Sequence, residues 1–534
     1  MEIPRVPSDG NGMRTLHHFH GGIHPPGNKT QSTQVAIARA PLPAKLTIPF
    51  HQHAGETAKP VVQVGDHVLK GQLIGLPDGF VSSAVHASTS GTIAAIDTQL
   101  IAHPSGLPNL CATLIPDGKE EWVERKALNY LDLSPTELQQ LLRMAGVVGL
   151  GGAAFPSDIK LRIGKQKITT LILNGAECEP YITCDDMLMR ERAAEIVQGA
   201  EMLRFMLDAN EVLIGVEDNK PEAIAALQHA IKESGPVLQQ NKRQKVVTIP
   251  TIYPGGSAKQ LIRALTGLEV PSGKLPTDIG VQCFNVATAY SVHRALALGE
   301  PLLSRIVTIT GNVRRARNFE ALIGTPIDEL VALGEALPDT NGYIMGGPMM
   351  GMPLPAVYVP VVKATNCIIA ASAKLFPPPA PALPCIRCTR CVEVCPADLQ
   401  PQDLFWFAQS KEFGRAQAFS LFDCIECGAC SYVCPSHIPL VQYYRFAKSE
   451  IRAREHDKQL ADQARERHEY HELRIEREKQ ERAEKLTTKA KASKPAESLT
   501  PQQQAEQAEL AARREHIREV AQSAVEHTTE RTGG

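Results

Sequence analysis

The stretch CIRCTRCVEVCP occupies residues 385–396 and spaces four cysteines by two, two and three intervening residues, with a proline after the last. The same spacing returns at residues 424–435 as CIECGACSYVCP. Two-residue spacers let a tight loop direct three thiolates toward one point, and runs of this kind typically ligate [4Fe–4S] clusters in bacterial two-cluster domains. The two runs therefore predict a compact domain built around iron–sulfur clusters.

In this spacing the fourth cysteine of each run ligates the cluster of the other run. The predicted ligands of one [4Fe–4S] cluster are Cys385, Cys388, Cys391 and Cys434, and those of the second are Cys424, Cys427, Cys430 and Cys395. Zinc is the alternative, but zinc sites usually show separated pairs of ligands rather than two runs of four. The intervening DLFWFAQSKEFGRAQAFSLF has a helical pattern, which predicts an α-helical dicluster ferredoxin-type domain.

The composition is that of a globular chain with several domains. It has 534 residues, of which 43% are hydrophobic, and a formal net charge of -2, which gives no support for a nucleic-acid partner. The start, MEIPRVPSDGNG, has no signal-peptide pattern, and no apolar run reaches the roughly 18 residues of a membrane span. Clustered cysteines in an intracellular chain indicate metal ligation rather than disulfides. We therefore expect a cytoplasmic protein that contacts a membrane only through other proteins.

Shifts in composition and pattern divide the chain into segments of a multidomain α+β protein. Their expected bounds are 1–50 (irregular), 51–125 (barrel sandwich), 130–300 (α/β domain), 301–365 (β-grasp module), 366–446 (dicluster domain) and 447–534 (charged tail). The tail is rich in Arg, Glu, Lys, Gln and Ala, so we expect a solvated helix followed by disorder around KAKASKPAESLTPQQQ. It is either an appendage without chemistry, which we favour, or a docking helix for a partner.

The N-terminal segment contains a group of histidines in HHFHGGIHPPGNK. The metal candidates among them are His17, His18, His20 and His24. The alternative is backbone and packing contacts, which we favour because no sharp ligand spacing is present.

Residues 59–97 show short alternating apolar runs separated by glycine turns, which predict β-strands. The motifs VGDHVLKGQLIG and ASTSGTI resemble the biotinyl/lipoyl-type β-sandwich. That family's modified lysine would fall in the hairpin between them, where this chain has PDGFVSSAVH and no lysine. We therefore expect a structural module rather than a swinging arm.

From about residue 134 strands and helices alternate, which predicts an α/β domain with a partly parallel sheet. Ser134, Pro135 and Glu137 form a helix start with a capping box. The segment GVVGLGGAAFPSDIKLRIG (146–164) is a glycine-rich loop before a helical stretch, and its backbone amides could cradle a phosphate with Lys160 as a fixed positive charge. An ordinary glycine-rich turn is the alternative.

GLGGAAFPSDIK, LILNGAECEPYITCDD and FNVATA resemble the flavin- and NADH-binding subunit of respiratory complex I. The resemblance implies non-covalent FMN on the loop, with NADH as substrate and an aromatic beside the nicotinamide. The matching positions are Gly149, Gly151, Gly152, Phe155, Lys160, Asn174, Glu177, Glu179, Asn285 and Thr288. The chain departs from the family at Ala154, at Ala176 and in YPGGSAKQL (253–261), where the family carries acidic residues near the dinucleotide.

RIVTITGNVRRARNFEALIGTPIDELVALGE (305–335) predicts strand, turn and helix, and looks like a small β-grasp module of the soluble-ligand-binding type. The whole order of segments, beginning with FHGGIHP, resembles the RnfC family of the Rnf (Rsx) electron-transport complexes over roughly residues 15–450. The resemblance implies a peripheral subunit on the cytoplasmic side of the bacterial inner membrane. Such a complex couples electron transfer between NADH and ferredoxin to ion translocation.

Two alternatives remain open. The first is a soluble flavin and iron–sulfur reductase of the cobalamin-reductase type, which shares the core order of segments. The second is an iron–sulfur relay scaffold without nucleotide binding. Electron transfer needs no catalytic nucleophile or acid–base pair, because flavin converts a two-electron donor into single electrons for the clusters.

Overall fold

The computed structural model describes residues 15–164, 166–234, 243–492 and 500–531. The chain divides into two compact units, with the boundary after Ile451. The start MEIPRVPSDGNG, discussed above for its lack of a signal pattern, lies outside the described residues, and so does the middle of the tail stretch expected to be disordered. In the part that the structure describes, no helix is long and apolar enough to cross a bilayer.

The N-terminal segment of the first unit has little regular structure. It contains a 3-10 turn at Thr30–Ser32 and the two-residue strand β1 (Ala38–Arg39). β1 adds in parallel to a sheet formed much later in the chain, at residues 319–320. The segment therefore runs across other domains instead of forming one of its own.

Three of the N-terminal histidines make contacts typical of packing. Nδ1 of His20 donates to the Cys395 carbonyl at 2.8 Å, and Nδ1 of His24 donates to the Thr251 carbonyl at 3.1 Å. The ring of His17 lies against Gly267. These contacts favour the packing alternative over a metal site.

The barrel-sandwich domain consists of two antiparallel sheets. Its strands are β2 (Leu46–Pro49), β3 (Lys59–Pro60), β4 (His67–Val68), β5 (Leu73–Leu76), β6 (Val85–His86), β7 (Gly91–Leu100) and β8 (Pro108–Pro116). The sheet orders are β2-β8-β7-β4 and β3-β5-β6. β2 pairs with β8, so the domain begins before the expected boundary at residue 51. In the β5–β6 hairpin Ser82 and Ser83, just before β6, are fully buried, whereas Phe80 near the tip is 62% exposed.

The α/β domain carries a four-stranded parallel sheet in the order β11-β10-β9-β12. Its strands are β9 (Thr170–Gly175), β10 (Glu211–Glu217), β11 (Gln244–Ile249) and β12 (Val281–Asn285). Its helices are α1 (Pro135–Met144), α2 (Ser157–Leu161), α3 (Cys184–Glu191), α4 (Ala193–Leu207), α5 (Pro221–Glu233), α6 (Ala258–Thr266) and α7 (Val286–Ala297). Because the strands are parallel, their carboxyl ends meet at one edge, where ligands bind in open α/β sheets.

The β-grasp module forms a mixed sheet around one helix. Its elements are β13 (Ser304–Gly311), β14 (Arg317–Leu322), α8 (Ile327–Gly334), β15 (Thr340–Met345), β16 (Met352–Pro353) and β17 (Cys367–Ser372), and the sheet order is β1-β14-β13-β17-β15-β16. β17 is a central strand that pairs with β13 and β15. The expected boundary at residue 365 therefore cuts this sheet, and the dicluster domain begins after β17.

The dicluster domain is helical. Its elements are α9 (Arg390–Glu393), α10 (Pro401–Gln409), α11 (Phe413–Ala418), α12 (Ala429–Tyr432) and the first turns of α13 (Leu440–Ala492). Its core is apolar and surrounds the cysteines, and includes Leu404, Phe405, Phe413, Leu421, Tyr444 and Ile451. The helical interpretation of the stretch between the two runs is thus confirmed.

The second unit contains the rest of α13, from Arg452, and α14 (Pro501–Arg531). Its described side chains are almost all exposed, as expected for a solvated charged helix. We expected disorder around KAKASKPAESLTPQQQ, whose middle lies outside the described residues. Instead, α13 continues through its first residues and α14 begins at Pro501, because proline is well suited to the first turn of a helix.

Candidate redox site

The glycine-rich loop lies between α1 and α2 and is closed by backbone and side-chain bonds. The Gly149 N–H donates to the Phe155 carbonyl at 2.7 Å. The Leu150 N–H donates to the hydroxyl of Thr288 at 2.9 Å, and Thr288 is fully buried at the start of α7. At Gly152, with φ +127°, no atom lies within 4 Å of where a Cβ would be. The loop thus offers an open, backbone-lined surface of the kind that a phosphate or a planar cofactor can approach.

The departure at Ala154 occurs at a strained backbone position. Ala154 has a φ of +46°, in the left-handed region that glycine adopts more easily than alanine. In this chain the loop thus adopts a left-handed backbone at an alanine, where the complex I family has a glycine.

Asn285 ties the end of β12 to a buried acid. Its side-chain oxygen accepts from the Ala287 N–H at 2.8 Å and caps α7, while its amide donates to Asp185 at 2.5 Å. A Cβ on Gly151 would lie 3.4 Å from Asn285, so the loop rests on this side chain. Burial, together with the neighbouring Glu177 carboxylate, raises the pKa of Asp185 to about 7.

Arg305 supports the loop from the β-grasp module. The buried guanidinium donates to the Leu150 carbonyl at 3.2 Å and to the Thr365 carbonyl at 3.1 Å. Leu150 is therefore held by two bonds: its N–H donates to Thr288, and its carbonyl accepts from Arg305. The sequence pattern gave no signal for Arg305, because the contact joins residues 155 positions apart.

Lys160 points along the edge strand. Its ammonium donates to the Cys283 carbonyl and lies 4.4 Å from the centre of the Phe284 ring. Burial lowers the pKa of this lysine. An ammonium has three donors, and this bond uses one of them, so the charge beside β12 can also serve an anion.

Two further residues matched to the flavin family bond to the protein backbone. Asn174 donates to the Gly256 carbonyl at 2.7 Å. Glu177 accepts from the Asp185 and Asp186 N–H groups at 2.7 Å and 3.1 Å, and so caps the first turn of α3. Both side chains fix the loop after β9 and stand at the edge of the site.

Glu179 extends from the same loop toward the β-grasp module. One carboxylate oxygen accepts from the Met349 and Met350 N–H groups at 3.0 Å and 2.7 Å. The other oxygen is buried beside the hydroxyl of Tyr253, but that hydroxyl gives its single proton to the Cys427 carbonyl. Burial raises the pKa of Glu179 to about 7.

The cysteine runs fold into two copies of one backbone pattern. Counted from the first cysteine of each run, the third, fifth and fourteenth residues have positive φ; they are Arg387, Thr389 and Asp398 in the first run, and Glu426, Gly428 and His437 in the second. Left-handed residues at these points let a short loop turn its thiols inward. The repeated sequence spacing is thus matched by a repeated backbone geometry.

The thiols gather in two quartets, each drawing on both runs. One cavity is lined by Cys395, Cys424, Cys427 and Cys430, with apolar walls. The thiol of Cys391 interacts electrostatically with those of Cys388, Cys385 and Cys434. Burial raises the pKa of Cys391 to about 11 and of Cys427 to about 12, and iron ligation would offset this because a coordinating thiol is deprotonated. The cavity and its donor set fit an iron–sulfur cluster.

The segment 253–261 connects the α/β domain to the dicluster domain. Its bonds are Tyr253 to the Cys427 carbonyl (2.5 Å), Lys259 to the Asp423 carboxylate (3.3 Å) and Gln260 to the Pro396 carbonyl (3.0 Å). The resemblance to the complex I family aligns this segment with a stretch near the dinucleotide, which stays a prediction. Its side chains bond to the predicted cluster ligand Cys427 and to Asp423 and Pro396, which neighbour predicted ligands, contacts that no local pattern could have indicated.

Four family models match successive parts of the chain. Residues 17–119 match the RnfC barrel sandwich hybrid domain, 142–294 the Nuo51 FMN-binding domain, 306–353 the SLBB domain and 384–438 a 4Fe-4S dicluster domain. The predictions of an FMN-binding domain and of [4Fe–4S] rather than zinc ligation are confirmed.

Curated relatives share close to half of their aligned residues with this chain. The C subunit of the ion-translocating oxidoreductase complex of Edwardsiella ictaluri is 48% identical over 474 residues, which are 88% of this chain and 58% of the relative. The Pseudomonas aeruginosa protein of the same name is 47% identical, covering 88% and 60%, and that of Serratia proteamaculans is 48% identical, covering 88% and 66%. The chain thus spans about six-tenths of the length of these relatives.

Solved structures of an NAD+-reducing [NiFe]-hydrogenase, air-oxidized and H2-reduced, are similar at TM-scores of 0.40 and 0.42, with 18% and 16% identity. The matches cover 53% and 60% of this chain, and 54% and 61% of the hydrogenase chains. Similarity this low identifies nothing, whereas the curated relatives and the domain matches agree with one another. The chain belongs to the RnfC family, the C subunits of the ion-translocating oxidoreductase complexes.

Proposed function

We propose that this chain is a peripheral electron-transfer subunit of an ion-translocating complex at the cytoplasmic face of a bacterial inner membrane. In this role it passes electrons between NADH and a ferredoxin-type partner through FMN and two [4Fe–4S] clusters. The observation that carries the proposal is the direct bond from the α/β domain to a cluster ligand, between Tyr253 and Cys427. A flavin site and an iron–sulfur site joined in this way form one electron path.

The residues of the glycine-rich loop fit FMN. Gly151 and Gly152 allow close backbone approach, and Thr288 and Arg305 hold the loop through Leu150. Lys160, beside β12, would supply positive charge for the phosphate. When bound, FMN accepts two electrons and releases them one at a time.

NADH would approach from the loop side. Phe155 is the aromatic residue of the loop and is partly exposed, so its ring is available for stacking on a nicotinamide. Glu177 and Glu179 bond to backbone N–H groups and act as supports of the loop after β9. In this arrangement the loop and Phe155 would hold the dinucleotide. Glu177 and Glu179 would fix the backbone next to it.

The two thiol quartets support crossed ligation of two clusters. Cys395 lines the cavity of the second run, and Cys434 neighbours Cys391 of the first. Crossed ligands hold two clusters within one small core, which suits transfer of single electrons from one to the other.

The proposal is tested by anaerobic purification of the full chain with and without the membrane subunits of its complex. We expect FMN, about eight iron atoms per chain for two clusters, and NADH-dependent reduction of a one-electron acceptor dye. Co-purification with membrane subunits supports the complex over a soluble reductase of the cobalamin-reductase type. Iron without flavin would instead support a relay scaffold without nucleotide binding.

A further inference from the structure

Tyr253 is a buried side chain of the α/β domain that reaches a cluster ligand. It is 2% exposed, and its hydroxyl donates to the carbonyl oxygen of Cys427, which is itself 7% exposed. The backbone of Tyr253 is fixed by a pair of bonds with Ile23, at 2.8 Å and 2.9 Å. The N-terminal segment therefore fixes the backbone of this tyrosine, while its side chain bonds to the dicluster domain.

Glu179 provides a second acceptor next to the same hydroxyl. Its first carboxylate oxygen is fixed by two N–H donors from residues 349 and 350, while its second oxygen is buried without a hydrogen-bond donor among the described residues. The phenol has a single proton, and the Cys427 carbonyl receives it. A buried carboxyl group thus competes with a ligand residue for one donor.

Hydrogen-bond donors and charges around a cluster tune its reduction potential, because they change the stability of the more negative reduced state. Tyr253 bonds within the loop that carries Cys424, Cys427 and Cys430. The first run contains the exposed ligand Cys388 instead. The predicted ligands of the two clusters therefore have different surroundings, one bonded to Tyr253 and one exposed, although their spacing is the same.

We propose that Tyr253, supported by Glu179, is a positioning residue that seats the second cysteine loop against the α/β domain and makes its cluster the first acceptor. The inference rests on the proposed function, since it requires FMN on the glycine-rich loop. In the step concerned, reduced flavin loses one electron and the oxidised cluster gains it, and no bond between the cofactors forms or breaks. The cluster that Cys385, Cys388, Cys391 and Cys434 would hold is then the second acceptor and would supply the partner.

The test is Tyr253→Phe in the full chain, which removes one hydroxyl and keeps the ring. Tyr290→Phe is the matched control, because it removes a hydroxyl of the same domain that accepts from Arg294 at 2.9 Å. The measurements are FMN and iron content, a redox titration followed by spin resonance, and the rate of cluster reduction after photoreduction of the flavin. We call the cluster of Cys385, Cys388, Cys391 and Cys434 the first-run cluster and the other the second-run cluster. Cys388→Ala removes a ligand of the first-run cluster and so assigns the two signals.

We expect Tyr253→Phe to retain FMN and iron, to shift the midpoint potential of the second-run cluster in the negative direction, and to slow its reduction several-fold. The first-run cluster and the Tyr290→Phe protein should be unchanged. Equal shifts in both clusters, or no difference from the control, would overturn the inference. Absence of FMN or iron from the unsubstituted chain would overturn the proposed function instead.

A second variant covers the case in which Tyr253→Phe loses its clusters. Burial raises the pKa of Glu179 to about 7, so the comparison is made above that pH, where the carboxyl is charged. Glu179→Gln then keeps the shape of the side chain and removes the negative charge beside the phenol, so the same cluster should shift in the positive direction. If the potential and the spectrum of the second-run cluster are unchanged in this variant, the Tyr253–Glu179 pair does not act on that cluster.

Discussion

Lys160 illustrates how one side chain can serve both the fold and a ligand. Its ammonium donates to the Cys283 carbonyl on an edge strand, which needs a donor because no further strand pairs there in the described sheet. We predict that Lys160→Ala weakens FMN binding by about 1.5–3 kcal/mol, the range for a hydrogen bond to a charged group, or roughly 10- to 150-fold in Kd. The measurement is a fluorescence titration of FMN into flavin-free protein.

The control for this prediction is Lys167→Ala, which removes an exposed lysine from the same stretch of chain. Equal Kd values for the two variants would mean that Lys160 serves only the strand edge.

Substitution of Cys395 tests whether each cluster has ligands from both cysteine runs. It belongs to the first run in sequence but lines the cavity of Cys424, Cys427 and Cys430. We predict that Cys395→Ala disturbs the cluster of that cavity, because it removes one of four ligands, and leaves the other cluster with all four. Spin resonance of the reduced protein should show one altered signal and one unaltered signal.

The comparison variant is Cys434→Ala, which should give the reverse pattern. Damage confined to the Cys385 cluster in the Cys395 variant would mean that each run ligates its own cluster.

At the scale of elements, the N-terminal segment is held against the dicluster domain by a glycine. Gly21 has a φ of +71°, and a Cβ there would lie 2.5 Å from the carbonyl carbon of Val394, next to the ligand Cys395. We predict that Gly21→Ala destabilises the fold by at least about 1–2 kcal/mol, the cost of a left-handed backbone for a residue with a Cβ. The clash should also lower iron content, and both effects are measured by thermal unfolding and iron analysis.

Gly27→Ala is the matched control in the same segment, because the nearest atom to its Cβ would be 3.9 Å away, on Lys29. It should unfold at or slightly above the temperature of the unsubstituted protein. Similar losses in both variants would indicate that the segment tolerates no side chain, whatever its packing.

Elements whose signals are local were predictable from the sequence. The capping box of Ser134 and Glu137, with Pro135 at the first position, predicted α1, and both bonds are present. β17 was not assigned to its sheet, because pairing with β13 and β15 depends on residues far away in the chain. The same limit applies to the site: glycine and cysteine spacings indicated the cofactors, but the Tyr253–Cys427 bond spans 174 positions and leaves no periodic pattern.

At the scale of the whole molecule, the first unit contains everything that the proposed electron path requires. The loop of the α/β domain, the β-grasp support at Arg305 and both thiol quartets precede the boundary after Ile451. The second unit has exposed charged helices, and the residues that line the cysteine cavity all belong to the first unit. A deletion of the tail can therefore test whether electron transfer requires it.

We predict that deleting residues 460–534 leaves FMN content, iron content and dye reduction unchanged, because the described side chains removed are almost all exposed. The matched control is deletion of residues 440–534, which also removes Tyr444, a buried residue of the cluster cavity, and should lose iron. Iron loss in the shorter deletion would mean that the tail stabilises the clusters. Retention of the shortened chain by its membrane partners would show that docking uses the first unit, whereas its release with cofactors intact would assign docking to the tail.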